Sequence, residues 1–132
     1  MVLSLLEFVP QFVSLNIHNT APMESKFFIN SKETPWKDLG EGVSRQILGF
    51  NDQLMMVKVK FAKGAIGAIH AHIHTQTTYC ASGEFEFTVG EVTRLLQEGD
   101  ATYIPSGVLH GVVCLREGML IDTFNPVRGD FL

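Results

Sequence analysis

A chain of 132 residues is long enough for one domain with a true core and too short for two. With 45% hydrophobic and 18% charged residues it reads as globular rather than disordered. A formal net charge of −4 without any Lys/Arg run argues against nucleic acid as a partner.

Residues 1–25 are apolar in patches (Leu5, Leu6, Phe8, Val9, Phe12, Val13) but do not read as an export signal. The first lysine is Lys26, Pro10 splits the apolar run, Glu7 sits inside it, and the run is too short to span a membrane. They read as an N-terminal arm that packs on the domain or on a second subunit, with Met23 as an alternative start. Residues 26–132 read as the domain. Glu33–Gly40 is expected to be turn and loop with Trp36 as an anchor, and Val43–Gly49 a strand. In Leu54–Phe61, Val57, Val59 and Phe61 alternate with Lys58 and Lys60, which predicts a strand with one face inward. Gly64 opens a further strand that carries His70, His72, His74 and Gln76 on one side. Thr77–Ala81 continues with β-formers, and Ser82-Gly83 reads as a tight turn. Glu84–Val89 and Val92–Leu96 pair as a hairpin across Gly90-Glu91. Ala101–Ile104, His110–Leu115 and Met119–Phe124 are short strands, the last two separated by a turn at Glu117-Gly118, and the chain leaves the sheet at Pro126. No segment holds a helical period. Eight to ten short strands, twelve glycines and ten phenylalanines predict an all-β sandwich or barrel. Cys80 and Cys114 lie in apolar runs and read as buried free thiols, which suits a reducing cytoplasm.

Three imidazoles and an amide on one strand face fit either a polar outer face or a binding site. Two histidines at i and i+2 can reach one ion. A donor four residues on, and His110 delivered from a distant strand by the turn Pro105-Ser106-Gly107, could complete a pocket. Imidazole suits several first-row metals, so these donors do not name the ion.

Gly64-(x5)-His70-x-His72-(x3)-Gln76-(x6)-Gly83 resembles the first signature of the cupin superfamily, and Gly99-(x5)-Pro105-x-Gly107-(x2)-His110 resembles the second. The resemblance implies a cupin jelly-roll barrel. Two positions depart from the common pattern: Gln76 stands where most metal cupins carry Glu, and Cys114 where Asn is usual. Further segments resemble the small single-domain cupins of pectin degradation, the KdgF type. These are Asn30-x-x-x-Thr34-Pro35-Trp36, Gly42–Arg45, Val108–Leu115 and the tail Asp122-x-Phe124-x-Pro126-Val127-Arg128-x-Asp130-Phe131-Leu132. In that family Gln is the normal ligand. The resemblance implies one divalent ion (Ni, Zn, Mn or Fe) on His70, His72, Gln76 and His110. It associates Asp122, Phe124 and Arg128 with catalysis.

On their own terms Asp122 and Phe124 share a strand face, and a carboxylate beside a phenyl ring and near a cation is a candidate general acid/base. Arg128 offers a planar fork for a carboxylate. An Asp122–Arg128 surface ion pair and a purely structural Phe124 are the alternatives. His74 reads as a supporting or pocket-mouth histidine rather than a fifth ligand. A neutral Gln76 leaves the ion its full charge, which suits an anionic substrate and argues against oxygen chemistry.

The resemblance implies an enzyme that converts 4,5-unsaturated uronates, from pectin or alginate, to the linear keto form. A cupin dioxygenase and a sugar-binding cupin without catalysis are the alternatives. The expected partners are a small anionic sugar and a second copy of the chain, because a small barrel has an exposed sheet edge to cover.

Overall fold

Alternation of burial along the strand Met55–Phe61 sets the inside of the molecule. Met55, Val57, Val59 and Phe61 are buried, while Met56 and Lys60 face out, as the period of two requires. The computed structural model describes residues 23–132 and forms eight strands. They are β1 (Lys37–Gly40), β2 (Val43–Phe50), β3 (Met55–Phe61), β4 (Ile66–His70), β5 (Thr75–Val89), β6 (Val92–Gln97), β7 (Ala101–Ile104) and β8 (His110–Asn125). Among the described residues the only helix is a 3-10 turn, Gly129–Phe131, and no helix is long and apolar enough to cross a membrane. The arm expected at residues 1–25 lies, up to residue 22, outside the described residues.

All strand pairs are antiparallel, and two long strands organise them. β5 and β8 pair with each other from Thr75↔Asn125 to Val89↔His110. The first half of β5 also pairs with β7, and its second half with β6. The second half of β8 pairs with β3, which continues to β2 and β1, whereas its first half pairs with β4. The two long strands therefore belong to both leaves of a jelly roll, and the core of Phe61, Phe85, Leu96, Ile104, Cys114 and Leu120 fills the space between.

The expected turns at Ser82-Gly83 and Glu117-Gly118 are not turns. Each lies inside a continuous strand, where the β5–β8 register shifts. Such irregularities bend a strand without ending it. The bend demands glycine on both strands: a Cβ on Gly118 would lie 2.1 Å from the Ser82 carbonyl oxygen, and one on Gly83 2.6 Å from that of Arg116. Two other expectations fail. Lys37–Gly40, read as loop, pairs with β2 as a strand. The single histidine strand is two strands, because Ala71–His74 forms a bend between β4 and β5. Cys80 and Cys114 are buried free thiols, as expected.

Candidate metal centre and active site

The bend at Ala71–His74 and the turn at Pro105–Gly107 hold each other. The Gly107 N–H donates to the His72 carbonyl (2.8 Å), and the Ser106 hydroxyl donates to the Ile73 carbonyl. His70 at the end of β4 stands opposite His110 at the start of β8, with ring centroids 4.4 Å apart. His72 enters from the bend, 4.8 Å from the His110 ring. One ring nitrogen from each of the three histidines lies within 4.8 Å of the others.

Each ring is oriented by its other nitrogen. Nδ1 of His70 meets the Ala68 carbonyl at 2.7 Å, that of His72 the His74 carbonyl at 3.0 Å, and that of His110 the Val108 carbonyl at 2.9 Å. A carbonyl only accepts, so these bonds place the proton on Nδ1 and the lone pair on Nε2. Burial lowers the basicity of His72 and His110, which favours neutral rings. His110 is 2% exposed, and its Nε2 has no partner among the described residues.

Gln76, 5% exposed, completes the group. Its Nε2 donates to the Thr78 hydroxyl at 2.9 Å, which turns its oxygen towards His72 Nε2, 2.9 Å away. Two lone pairs facing at that distance repel unless a cation lies between them. Neighbouring ligands on bonds of about 2.1 Å at right angles sit about 3 Å apart, so the spacing fits an ion. The donors present therefore suit a divalent transition metal held by His70, His72, His110 and Gln76.

The Thr78 hydroxyl, buried like Gln76 and Cys80 on the same strand face, passes the chain of bonds on to Asp122 Oδ1 at 2.6 Å. Burial pushes the Asp122 carboxyl up to about 6, against the opposing effect of the Thr78 bond. Asp122 lines one cavity of about 250 Å³ with His70, Gln76 and His110 of the metal group and with Phe124 and Arg128. Phe124 presents its ring edge-on to His72 at 5.8 Å and to Phe131 at 5.8 Å.

The comparisons with known proteins give the family of this chain. A cupin domain matches residues 57–122, half of the chain. The pectin degradation protein KdgF of Dickeya dadantii (strain 3937) is 51% identical over 109 residues, covering 81% of this chain and 98% of that protein. The chain is a cupin of the KdgF family. Among solved structures, KdgF from Halomonas sp. superposes with a TM-score of 0.76 at 40% identity, over 82% of this cupin and 99% of that chain. An RmlC-like cupin from Shewanella frigidimarina NCIMB 400 superposes with a TM-score of 0.81 at 47% identity, over 83% and 98%.

This cupin thus lines one cavity with six of the seven expected site residues and sets His72 beside the His110 ring, with two changes of partner. Arg128 does not pair with Asp122: its Nε and Nη2 grip Asp130 at 3.0 and 2.9 Å, which lowers the Asp130 carboxyl. Asp122 bonds to Thr78 instead. Phe124 is both core and cavity wall. His74 stands outside the three-histidine group; its carbonyl orients His72, and its ring faces Phe124 at 6.2 Å. Thr78 was legible as an inward position two residues after Gln76, but its bridge to Asp122 was not. Asp130 and Arg45, which also lines the cavity, had no role in the expectation. The signal for Arg45 was its place between Val43 and Ile47 on the inward face of β2.

Proposed function

We propose that this cupin opens the ring of 4,5-unsaturated monouronates, giving the linear keto form, and that it works with one divalent ion on His70, His72, Gln76 and His110. The observation that carries the reading is the Gln76–Thr78–Asp122 chain, which joins the metal group to a carboxyl of raised pKa in a cavity sized for a monosaccharide. The kinship with pectin degradation proteins supplies the substrate class.

The C4=C5 bond of such a sugar is an enol ether conjugated to a carboxylate. A proton added at C4 and water added at C5 give a hemiketal. Its collapse leaves a ketone at C5 and a hydrated aldehyde at C1, which returns the water. One proton must reach carbon and one must leave oxygen. Asp122 can do both, because Thr78 holds Oδ1 and a carboxyl near pH 6 is present in both forms close to neutrality. Phe124 closes the apolar side of the cavity and keeps Asp122 desolvated. The free edge of the Arg128 guanidinium, Nη1 and the second Nη2 proton, remains for a substrate oxygen. The ion, when bound, would supply Lewis acidity towards an oxygen of the sugar. The donor set suits Ni, Zn, Mn or Fe.

Unsaturated monouronates absorb in the near ultraviolet and the linear product does not, so loss of that band follows the reaction. Metal-loaded protein should accelerate the loss over the spontaneous rate. Asp122→Asn should keep the fold and lower kcat by about 10²–10⁴-fold. An unchanged rate with galacturonate-, mannuronate- and guluronate-derived substrates would refute the proposal and leave the dioxygenase or binding readings.

We further propose a homodimer in a reducing cytoplasm. Tyr79, Tyr103 and Met56 lie exposed on outward-facing strand positions, and both cysteines are reduced and buried. Light scattering that gives a monomer, both for the full chain and for protein starting at Met23, would end the dimer proposal.

A further inference from the structure

Arg45 has no place in the reading above. It sits on the inward face of β2, which β3 separates from β8, and lines the active cavity. Its guanidinium lies over the Phe131 ring, 3.7 Å from the centroid, and the Arg128 guanidinium lies 4.2 Å from the same centroid. Two cations are thus gathered on one ring beside the cavity, within reach of a single carboxylate, Asp130. Asp130 is taken by Arg128 in a two-bond grip. Arg45 makes no ion pair within 4.0 Å among the described residues, and its buried Nε has no hydrogen-bond partner there.

That is an expensive arrangement for a protein to keep without use. A buried guanidinium costs desolvation that only an anion or several acceptors can offset. The cost is visible in Arg45, whose basicity burial lowers despite the nearby Asp130. The ring supplies part of the compensation, as a cation over an aromatic face does, but leaves the buried Nε without an acceptor among the described residues. Around the Phe131 ring two cations, Arg45 and Arg128, share one carboxylate, Asp130, while the cavity's other carboxylate, Asp122, bonds to Thr78.

We propose that Arg45 is the principal carboxylate-binding residue of the cavity and sets its preference for uronates over neutral sugars. The proposal rests on the uronate reading for its substrate class. The planar fork of a guanidinium matches a carboxylate in two parallel bonds, and Phe131 holds the plane of that fork in place. Arg128, already committed on one edge to Asp130, flanks the same anion rather than holding it alone.

The test is calorimetric titration of metal-loaded protein with D-galacturonate, which lacks the reactive double bond, and with neutral D-galactose. Arg45→Met should weaken galacturonate binding by about 10–100-fold, the value of a hydrogen-bonded charge, and leave galactose within about threefold. Arg45→Lys keeps the charge and the stem without the fork, so it guards against a folding defect in the first variant. It should be weaker than the natural protein by about tenfold. Wild-type galacturonate affinity in either variant overturns the assignment and moves the carboxylate to the ion. With an unsaturated monouronate the loss should fall on KM rather than kcat, since such a contact acts in ground and transition state alike. Ring opening that survives beside unchanged galacturonate binding removes Arg45 and keeps the proposed reaction. Arg45-dependent galacturonate binding without ring opening removes the reaction and keeps the anion site.

Discussion

Thr78→Val removes one oxygen and keeps the shape of a side chain that is 1% exposed. It strands two partners: Gln76 Nε2, which donates to the hydroxyl, and Asp122 Oδ1, which accepts from it. Leaving a buried polar group unpaired costs about 1–3 kcal/mol each, so the metal-free protein should lose about 2–6 kcal/mol in all. The second effect is on the ion. Without Thr78 the Gln76 amide can turn its nitrogen towards His72, and loss of such an orienting partner costs about 10–100-fold in metal affinity. The third is on the carboxyl. The Thr78 bond favours ionised Asp122, so its removal raises the pKa further, by about one pH unit if the bond is worth 1.4 kcal/mol to that form. Three assays read these effects: thermal unfolding with and without metal, competition for the ion against a chromophoric chelator, and the pH dependence of ring opening. An unchanged metal affinity together with an unchanged pH profile would refute the idea that one hydroxyl couples the metal group to the proton carrier.

His72→Ala should abolish stoichiometric metal binding while the β-rich circular dichroism persists; a fully loaded variant, measured by elemental analysis, would break the assigned ligand set. In metal-free protein Asp122 should cost stability as pH rises from about 4 to about 6, while His72 and His110, whose basicity burial lowers, add stability as pH rises towards 6.5. Below that window Asp122 is protonated in both states, within it only the folded state keeps the proton, and above it the difference is constant. The Asp122 part should reach about 3 kcal/mol at most and is read as the difference between the natural protein and Asp122→Asn in urea unfolding at a series of pH values. Gly118→Ala should destabilise by more than about 3 kcal/mol or prevent folding, because its Cβ meets backbone rather than a movable side chain. A melting temperature within a few degrees of the natural protein would contradict the crossing described.

Strand content and the inward register were legible in the sequence because alternation is local: β3 and the hairpin β5–β6 follow from their patterns alone. The continuity of β5 and β8 was not. Ser82-Gly83 and Glu117-Gly118 carry the composition of turns, and only the approach of the two segments to each other shows that their glycines serve close packing. The site was legible to the level of its donors and their common face. The break in the histidine run was hidden, since His72 is held by its Nδ1 bond to the His74 carbonyl and by the Gly107 N–H on its own carbonyl rather than through strand geometry. Asp130 was hidden for a similar reason. Arg128 has two candidate carboxylates, and the 3-10 turn at Gly129–Phe131 brings the nearer one round.

β5 and β8 also behave as a pair of nested tweezers. Each starts and finishes at the cavity and bends at its middle: Gln76 and Thr78 lie on one arm of β5, Asp122 and Phe124 on one arm of β8, and His110 on the other. The gape between His110 and Gln76 is therefore set at the glycine crossing, well away from any ligand. A change there that opens the angle slightly would spread the ligand atoms and favour a larger ion, and one that closes it would favour a smaller one. Metal preference in this barrel can drift through residues that never touch the metal.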